Sequence, residues 1–175
     1  MSMTYAGIGS RATPQDVQDK ISFLAYRLAR AGWLLRTGGA EGADKAFLRG
    51  AEVGGGARVV HLPWSGYNGF PENQELILSD EQFRPCVRIA SQLHPEWSRC
   101  GPGAQKLHAR NVLILLGAKL DSPASAVIVW TPQGLITGGS GMGIRIAEHY
   151  GIPIFNLGSV GVVEIEHQMD LIELF

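Results

Sequence analysis

The order of apolar strands, turns and helices in the first 60 residues is the feature that most constrains how this chain can fold. Residues 4–9 form a short apolar run that ends in glycine, and residues 13–31 then place apolar side chains at helical spacing. An apolar run at residues 33–36, a helical pattern at 43–51 and another apolar run at 58–62 repeat this order. Two successive strand–helix–strand units predict a parallel sheet with right-handed crossovers and helices on both faces.

The remainder of the chain extends this pattern. Residues 126–130 (AVIVW) predict a buried strand, residues 152–157 predict a further strand, and the long Gly-, Pro- and Asn-rich segment 63–79 predicts a functional loop. Helices are predicted at residues 81–93, 104–116 and 143–150. We therefore predict a single Rossmann-like α/β domain over residues 1–175, with a mainly parallel sheet flanked by helices on both faces.

Glycine is unusually frequent in this chain. It accounts for 23 of 175 residues, roughly twice the average share of about 7%. The chain has no Gly-X-Y period and 45% of its residues are apolar, which excludes a collagen-like or a disordered chain. Many of the glycines fall in three segments that follow a predicted strand or open a predicted helix, at residues 7–11, 37–42 and 137–142.

The three glycine segments predict a binding site formed largely by the backbone. Glycine lets the backbone approach a ligand closely, and the N–H groups at the start of a helix attract anions. Because open α/β folds bind ligands at the carboxyl ends of their strands, we expect the segments to lie together and to hold a phosphate or a ribose. They match neither the P-loop nor a strict GxGxxG fingerprint. The predicted ligand-binding residues are Gly9, Ser10, Arg11, Gly38, Gly39, Ala40, Gly42, Arg110, Asn111, Gly138, Gly139, Ser140, Gly141 and Met142.

Two arginines and two acidic residues are the candidates for chemistry at this site. Arg11 and Arg110 are candidate phosphate clamps, since a guanidinium binds two oxygens at once; a buried salt bridge is the alternative for Arg110. Glu41 and Asp44 are candidate catalytic carboxylates for cleavage of an N-glycosidic bond, where an acid stabilises an oxocarbenium-like centre or orients water. For Asp44 the alternative is stabilisation of a helix N-terminus.

Aromatic and metal-ligating residues are the remaining candidates. Trp64 and Tyr67 are candidates for stacking on a base, and the alternative is an aromatic cluster that holds their loop to the core. The five histidines show no HxxxH or Cys/His ligand spacing, so no metal site is expected. No cofactor is expected, and Cys86 and Cys100 are expected to be free thiols.

The charge distribution favours a small anionic partner. The net charge is −1, but residues 148–175 hold five acidic residues and no Lys or Arg, which leaves the preceding residues mildly basic. A modest positive field suits a phosphorylated small molecule better than a long duplex, and single-stranded DNA is the alternative partner. No apolar run has the roughly 20 residues of a membrane span, so a cytoplasmic protein that does not bind membranes is expected.

A homo-oligomer, specifically a dimer, is the expected state of assembly. The apolar residues 112–116 (VLILL) offer one possible dimer face. The alternative for this stretch is burial in the core of the domain.

The order of the glycine and charged motifs resembles the SLOG superfamily. The matching residues are Gly9-Ser10-Arg11, Thr37-Gly38-Gly39-Ala40 with Gly42 and Asp44, Arg110-Asn111, and Thr137-Gly138-Gly139-Ser140-Gly141. This superfamily of Rossmann-like domains includes DNA-processing protein A, the LOG phosphoribohydrolases and the YpsA-like proteins, and the resemblance covers residues 4–157. It implies a nucleotide, nucleotide-sugar or nucleic-acid phosphate bound over the glycine segments. The catalytic glutamate of the phosphoribohydrolase pattern PGGxGTxxE falls at the position of Arg145 in this chain.

Residues and resemblance together predict a protein that binds a nucleotide or a nucleotide-derived small molecule. Hydrolysis of the N-glycosidic bond, as in a phosphoribohydrolase, is the enzymatic hypothesis: Arg11 and Arg110 neutralise the phosphate, and Glu41 acts on the ribose. One alternative is a noncatalytic sensor or sequestering module for nucleotide signals. The other is a single-stranded DNA binder similar to DNA-processing protein A.

Overall fold

The computed structural model describes residues 3–71 and 76–173, which form six β-strands and six α-helices. The strands are β1 (Thr4–Gly9), β2 (Leu34–Thr37), β3 (Arg58–Leu62), β4 (Leu76–Ile77), β5 (Ala126–Trp130) and β6 (Ile154–Asn156). The helices are α1 (Gln15–Arg30), α2 (Ala43–Val53), α3 (Asp80–Leu93), α4 (Pro102–Leu116), α5 (Gly138–Tyr150) and α6 (Val162–Glu173).

The strands form one sheet in the order β4-β3-β2-β1-β5-β6, and every neighbouring pair is parallel. From β1 the chain builds outward to β4 and then returns to the other side of β1 to add β5 and β6. The strand order therefore reverses between β1 and β5, where Gly9 lies opposite Trp130. Ligands of open α/β sheets bind at such a switch point, outside the carboxyl ends of the strands.

Helices cover both faces of the sheet, which confirms the predicted Rossmann-like α/β fold. Alternate residues of β1 point to opposite faces: Tyr5 packs with the buried side chains of α1, α2 and α6, while Ala6 packs with those of α3, α4 and α5. In β5, Ile128 and Val127 divide between the two faces in the same way. This double burial explains why β1 and β5 are almost continuously apolar in sequence.

The apolar residues 112–116 lie on α4 and are buried in the core, with exposed fractions of 0–1%. The suggestion that they form a dimer face is therefore wrong, and the homo-oligomer stays a prediction. The longest described helix, α1, has 16 residues. Among the helices of residues 3–71 and 76–173, none combines the length and the apolar character that a membrane crossing requires.

Helix α5 begins at Gly138, five residues before the predicted start at residue 143. Glycine is a poor helix former, so the apolar pattern alone indicates a helix only after the glycines end. In the folded chain, Asn111 on α4 donates a hydrogen bond to the carbonyl of Gly139 (3.0 Å) and holds this first turn in place. The third glycine segment is therefore a helix N-terminus, where free N–H groups are expected.

Strand β4 and the start of α3 refine the segment predicted as a loop at residues 63–79. Strand β4 has only two residues, paired with His61 and Leu62 of β3, and is too short to show a periodic pattern. Helix α3 begins at Asp80 behind a capping box, in which the side chains and backbone N–H groups of Ser79 and Gln82 bond reciprocally.

Candidate functional site

A cavity of about 490 Å³ lies at the carboxyl ends of β1 and β5, at the switch point of the sheet. Its walls come from the segment after β1, the turn after β5, the first turn of α5 and one side of α4. The lining residues are those at positions 8–12, 40, 44, 67, 104, 107, 108, 110, 111, 131, 132 and 137–140. The fold thus brings parts of all three glycine segments to one place.

The segment after β1 is held by backbone hydrogen bonds. The N–H of Ser10 donates to the carbonyl of Trp130 (3.1 Å), and the carbonyl of Ser10 accepts from the hydroxyl of Thr13 (2.5 Å). Arg11 follows at the exposed rim of the cavity. Arg11 forms no ion pair with any residue in the described ranges, so its charge is available to a ligand.

Asp44, in the first turn of α2, joins the first two glycine segments. Its Oδ1 accepts from the N–H of Gly9 (3.2 Å), and its Oδ2 accepts from the N–H groups of Gly38 and Ala40 (3.2 Å each). Burial raises the pKa of Asp44 to about 6, against the opposing effects of the Arg110 charge and the three backbone N–H donors. Both carboxylate oxygens therefore accept hydrogen bonds from the backbone of the protein.

Arg110 and Asn111, adjacent on α4, fix the other two segments. Nη1 of Arg110 donates to the carbonyls of Gly38 and His61, and its guanidinium carbon lies 5.6 Å from the centre of the Tyr67 ring. Burial lowers the pKa of Arg110, and the charge of Asp44 opposes this effect. Asn111 binds the carbonyl of Gly139, so one helix holds both glycine segments.

The first turn of α5 forms an open wall of the cavity. Gly138, Gly139 and Ser140 line it, and the preceding Thr137 makes no side-chain capping bond to this helix. The leading N–H groups of a helix have no partner within the helix. A Cβ atom added at Gly139 would meet no other protein atom within 4 Å, so this glycine faces open space. The turn can accept an anion from the cavity side.

The glycines of the second segment have packing roles instead. A Cβ at Gly38 would collide with the guanidinium of Arg110, and one at Gly42 would collide with the carbonyl of Ser10. Gly42 also has φ +77°, a conformation that side chains disfavour. These two glycines allow close packing against Arg110 and Ser10 and do not line the cavity themselves. Five of the predicted ligand-binding residues do not line the cavity: Gly38, Gly39, Gly42, Gly141 and Met142.

Two of the predicted functional side chains also lie away from the cavity. Glu41 is exposed on α2's N-terminal side and pairs with Lys45 one turn along the chain. Trp64 is 37% exposed and packs edge-on against Tyr67, with ring centres 5.3 Å apart. Tyr67 itself is buried and lines the cavity. The stacking and catalytic roles of these residues stay predictions.

The sequence reasoning missed the turn after β5 and the side chains of α4. Thr131 and Pro132 line the cavity, and Thr131 is held by hydrogen bonds to Asn156 (3.3 and 2.7 Å). The sequence could have indicated both residues, because they directly follow the predicted strand AVIVW and therefore lie at the carboxyl edge of the sheet. Leu107 and His108 had no such signal, because their contribution depends on how α4 packs.

Within residues 3–71 and 76–173, the fold also brings together one group of side chains that could hold a metal ion. His94, Cys100 and His108 place their ligand atoms within 4.8 Å of one another. Spacings of six and eight residues match no common ligand pattern, which is why the sequence predicted no metal site here. The two other described histidines outside β3, His149 and His167, are not part of the group.

Comparison with known proteins supports the fold. No protein-family model matches this chain, and no curated protein matches it significantly. DNA processing protein A from Helicobacter pylori, solved for its single-stranded DNA binding mode, matches with a TM-score of 0.57 and 23% identity over 88% of this chain and 64% of that chain. The Moco carrier protein of Chlamydomonas reinhardtii matches with a TM-score of 0.54 and 17% identity over 97% of this chain and 84% of that chain. This chain thus spans less than two thirds of the Helicobacter pylori protein, and the likeness is one of fold: both neighbours share its Rossmann-like α/β architecture.

Proposed function

We propose that this protein binds a nucleotide or a nucleotide-derived small molecule in the cavity at the switch point, with a phosphate against the first turn of α5. The observation that carries the proposal is the meeting of three features around one cavity: the first turn of α5, the glycine at the end of β1, and Arg11. Within residues 3–71 and 76–173, no side chain caps this helix and no acidic residue pairs with Arg11. Helix N-termini at strand ends are recurrent phosphate sites in α/β folds.

The charges around the cavity support an anionic ligand. Asp44 is the only acidic residue among the described lining residues, and its charge acts on the buried Arg110. Arg11 at the rim is left to neutralise a ligand. A guanidinium and a helix N-terminus on the same cavity give a phosphate both hydrogen-bond donors and charge.

The size and walls of the cavity support a small molecule rather than a polymer. Its volume of about 490 Å³ lies within the range of roughly 300–1,000 Å³ that small-molecule sites occupy. Ile8, Leu107 and Tyr67 give it apolar surface, on which a base can pack. Because Arg110 lies against the Tyr67 ring, we propose that the ligand contacts only the part of that ring that faces the cavity.

We propose binding without assigning hydrolysis. A glycosidase-type step needs a carboxylate at the reacting carbon. Both oxygens of Asp44 already accept backbone N–H bonds that hold the glycine segments, and Glu41 pairs with Lys45 outside the cavity lining. A sensor or sequestering role needs no such group. The motif order that resembles the SLOG superfamily supports a nucleotide-type ligand for the same cavity.

Calorimetric titration with nucleoside monophosphates, nucleoside diphosphates and ADP-ribose tests the proposal. Gly139→Ala adds a methyl group to the open side of the first turn of α5, so we expect at least about tenfold weaker binding, or about 1.4 kcal/mol. Gly161→Ala is the control, because Gly161 directly precedes helix α6 and also faces open space, but it does not line the cavity. Equal affinity of Gly139→Ala and wild type, or no binding of any phosphorylated compound, contradicts the proposal.

A single-stranded oligodeoxynucleotide in the same titration distinguishes the alternative partner. One structural neighbour is described by its binding of single-stranded DNA and another as a carrier of Moco, so this fold holds more than one class of ligand. Polymer binding through many phosphates weakens steeply as the salt concentration rises. Steeply salt-dependent binding of the oligonucleotide together with no binding of mononucleotides would replace the small-molecule proposal with the DNA one.

A further inference from the structure

A second cluster of chemically active side chains lies beside the candidate ligand site. His94 is the residue that follows α3, Cys100 follows the short turn at residues 97–99, and His108 lies in the middle of α4. The thiol sulfur of Cys100 lies 3.8 Å from Nε2 and 3.9 Å from Nδ1 of His94, and the rings of His94 and His108 are centred 4.6 Å apart. All three residues thus meet at one point between two helices.

We propose that His94, Cys100 and His108 bind a divalent metal ion of the Zn²⁺ class. Two imidazole nitrogens and one thiolate form a donor set that Zn²⁺ favours over the oxygen-seeking ions Mg²⁺ and Ca²⁺. In a tetrahedral zinc site, ligand atoms lie about 3.4–3.6 Å apart, given metal–nitrogen bonds of about 2.0–2.1 Å and metal–sulfur bonds of about 2.3 Å. The present ligand atoms lie within 4.8 Å of one another, so small side-chain rotations complete the geometry.

Unused hydrogen-bonding capacity at the cluster supports a bound ion. His108 is 8% exposed, and its Nδ1 is buried without a hydrogen-bond partner among the described residues. Buried polar atoms rarely lack a partner unless a water or an ion supplies one. Among the described residues, the Cys100 sulfur makes only long contacts, to His94 and to the carbonyl of Glu96 (3.8 Å), and a metal bond would replace them.

One existing contact competes with the metal. Nδ1 of His94 accepts a hydrogen bond from the N–H of Glu96 (3.1 Å). Binding through Nδ1 displaces this donor, and binding through Nε2 requires a proton on Nδ1 and breaks the same bond. Because Glu96 is exposed, water takes over the released N–H, and the cost is small.

The cluster is covered on one side by Trp97 and adjoins the candidate ligand cavity through His108. Trp97 packs against both imidazoles, with ring centres 6.1 Å from His94 and 6.2 Å from His108, and shields that side. His108 also lines the candidate ligand cavity. Three protein ligands leave a fourth position for water, as in zinc sites that keep an open coordination position.

Titration of the chelator-treated 175-residue chain with Co²⁺ and then Zn²⁺ tests the metal site. We expect one Co²⁺ per chain, with visible ligand-field bands and a near-ultraviolet sulfur-to-metal charge-transfer band. Both kinds of absorption band should disappear when Zn²⁺ displaces Co²⁺. Quenching of Trp97 fluorescence by Co²⁺ reports the same event, given the contact of Trp97 with both histidines. Absence of the charge-transfer band at stoichiometric Co²⁺ overturns the proposal.

Variants locate the ion. Cys100→Ser should abolish the charge-transfer band and weaken Zn²⁺ binding at least ~100-fold, since changes around metal ligands alone cost about 10–100-fold. Cys86→Ala and His149→Ala are the controls, because Cys86 lies in the core and His149 on the surface away from the cluster. A band that survives in Cys100→Ser contradicts the assignment.

Thiol labelling tests the metal site in the wild-type protein, without any substitution that could disturb the fold. Cys100 is partly exposed and Cys86 is buried, so a thiol reagent should label Cys100 first in the metal-free protein. Zn²⁺ should protect Cys100 from labelling, as read by peptide mass spectrometry. Equal labelling of Cys100 with and without Zn²⁺ overturns the proposal, whether or not the nucleotide proposal holds.

Discussion

At the residue scale, Asp44 illustrates how one side chain organises a backbone-built site. Its carboxylate accepts three backbone N–H bonds from two glycine segments that are about 30 residues apart in the chain. Such bonds to buried N–H groups each contribute to stability mainly because the groups are costly to leave unpaired. Asp44 is therefore a positioning residue in the structure, whatever its role toward a ligand.

Removal of the Asp44 carboxylate should destabilise the fold strongly. Asp44→Ala leaves three N–H groups unpaired, two of them buried and that of Gly9 half-buried, and leaves Arg110 without the nearby negative charge. We therefore expect a loss of at least about 3 kcal/mol in the free energy of unfolding. Asp44→Asn keeps one acceptor oxygen and should lose less. Urea denaturation measures both variants. A loss below about 1 kcal/mol in Asp44→Ala would show that these bonds do not hold the segments together.

His61 gives a pH-dependent prediction. Burial, with the charges of Arg36 and Arg110, lowers its pKa from 6.5 to about 3. Since the folded protein keeps His61 neutral, its contribution to stability is complete above pH 6.5 and is lost as the pH falls. Asp44 acts oppositely, because its raised pKa of about 6 gives stability that is lost as the pH rises from 3.8 through 6.

The difference between wild type and His61→Gln isolates the histidine. As the pH falls from about 6 to about 4, the free energy of unfolding of the wild type should decrease by about 1.4 kcal/mol per pH unit relative to that of His61→Gln. Above about pH 7 the difference between the two proteins should be constant. The contribution of Asp44 is common to both proteins and cancels. Denaturant unfolding across this pH range measures the slope; a flat difference would mean that His61 is not buried in its neutral form.

Residue roles were only partly predictable from the sequence. The prediction that Gly139 lies at a ligand site rests on a local signal, a glycine segment that opens a helix. The packing role of Gly38 has no local signal, because it depends on Arg110, which is 72 residues away in the chain. The sequence likewise placed Glu41 at the mouth of a loop. Its pairing with Lys45 depends on the start of α2, because Glu41 directly precedes the helix N-cap and Lys45 lies in the first turn.

At the scale of elements, the strands were the most predictable. Strands β1, β3 and β5 have the bounds expected from their apolar runs, because each is short, buried and followed by turn residues. Helix α5 was predicted five residues late, since its glycine-rich first turn is held by tertiary contact rather than by helix propensity. Strand β4 depends wholly on pairing with β3 and has no local signal.

Helix α4 should control the first turn of α5 through Asn111. Asn111→Ala removes the hydrogen bond to the Gly139 carbonyl, so we expect a stability loss of about 1 kcal/mol and weaker binding of the phosphorylated ligand. Gln105→Ala is the control, because Gln105 also lies on α4 and donates one side-chain bond to a backbone carbonyl, that of Cys100. Calorimetry and urea denaturation measure both effects. Equal ligand affinity in the two variants would contradict a role of Asn111 in holding the turn.

At the scale of the whole molecule, the sheet order creates the cavity. Strands β2, β3 and β4 lie on one side of β1, whereas β5 and β6 lie on the other side. The segments that follow β1 and β5 therefore diverge at the switch point and leave a space between them. The meeting of the glycine segments was predictable, because the ends of parallel strands share one edge. The wall made by α4 was not, because it depends on which face of the sheet that helix covers.

Backbone amide NMR with a nucleoside monophosphate tests the central claim most directly, because the proposed site is made of N–H groups. Binding to the cavity predicts saturable shifts that are largest at Gly9–Arg11 and at Gly138–Ser140, with small shifts at the surface depression around Lys45 and Glu52. Gly55, in the turn between α2 and β3 and outside the cavity lining, should report no change. Shifts confined to that depression, or no saturable shift at the first turn of α5, would contradict the account of a phosphate-binding cavity at the switch point.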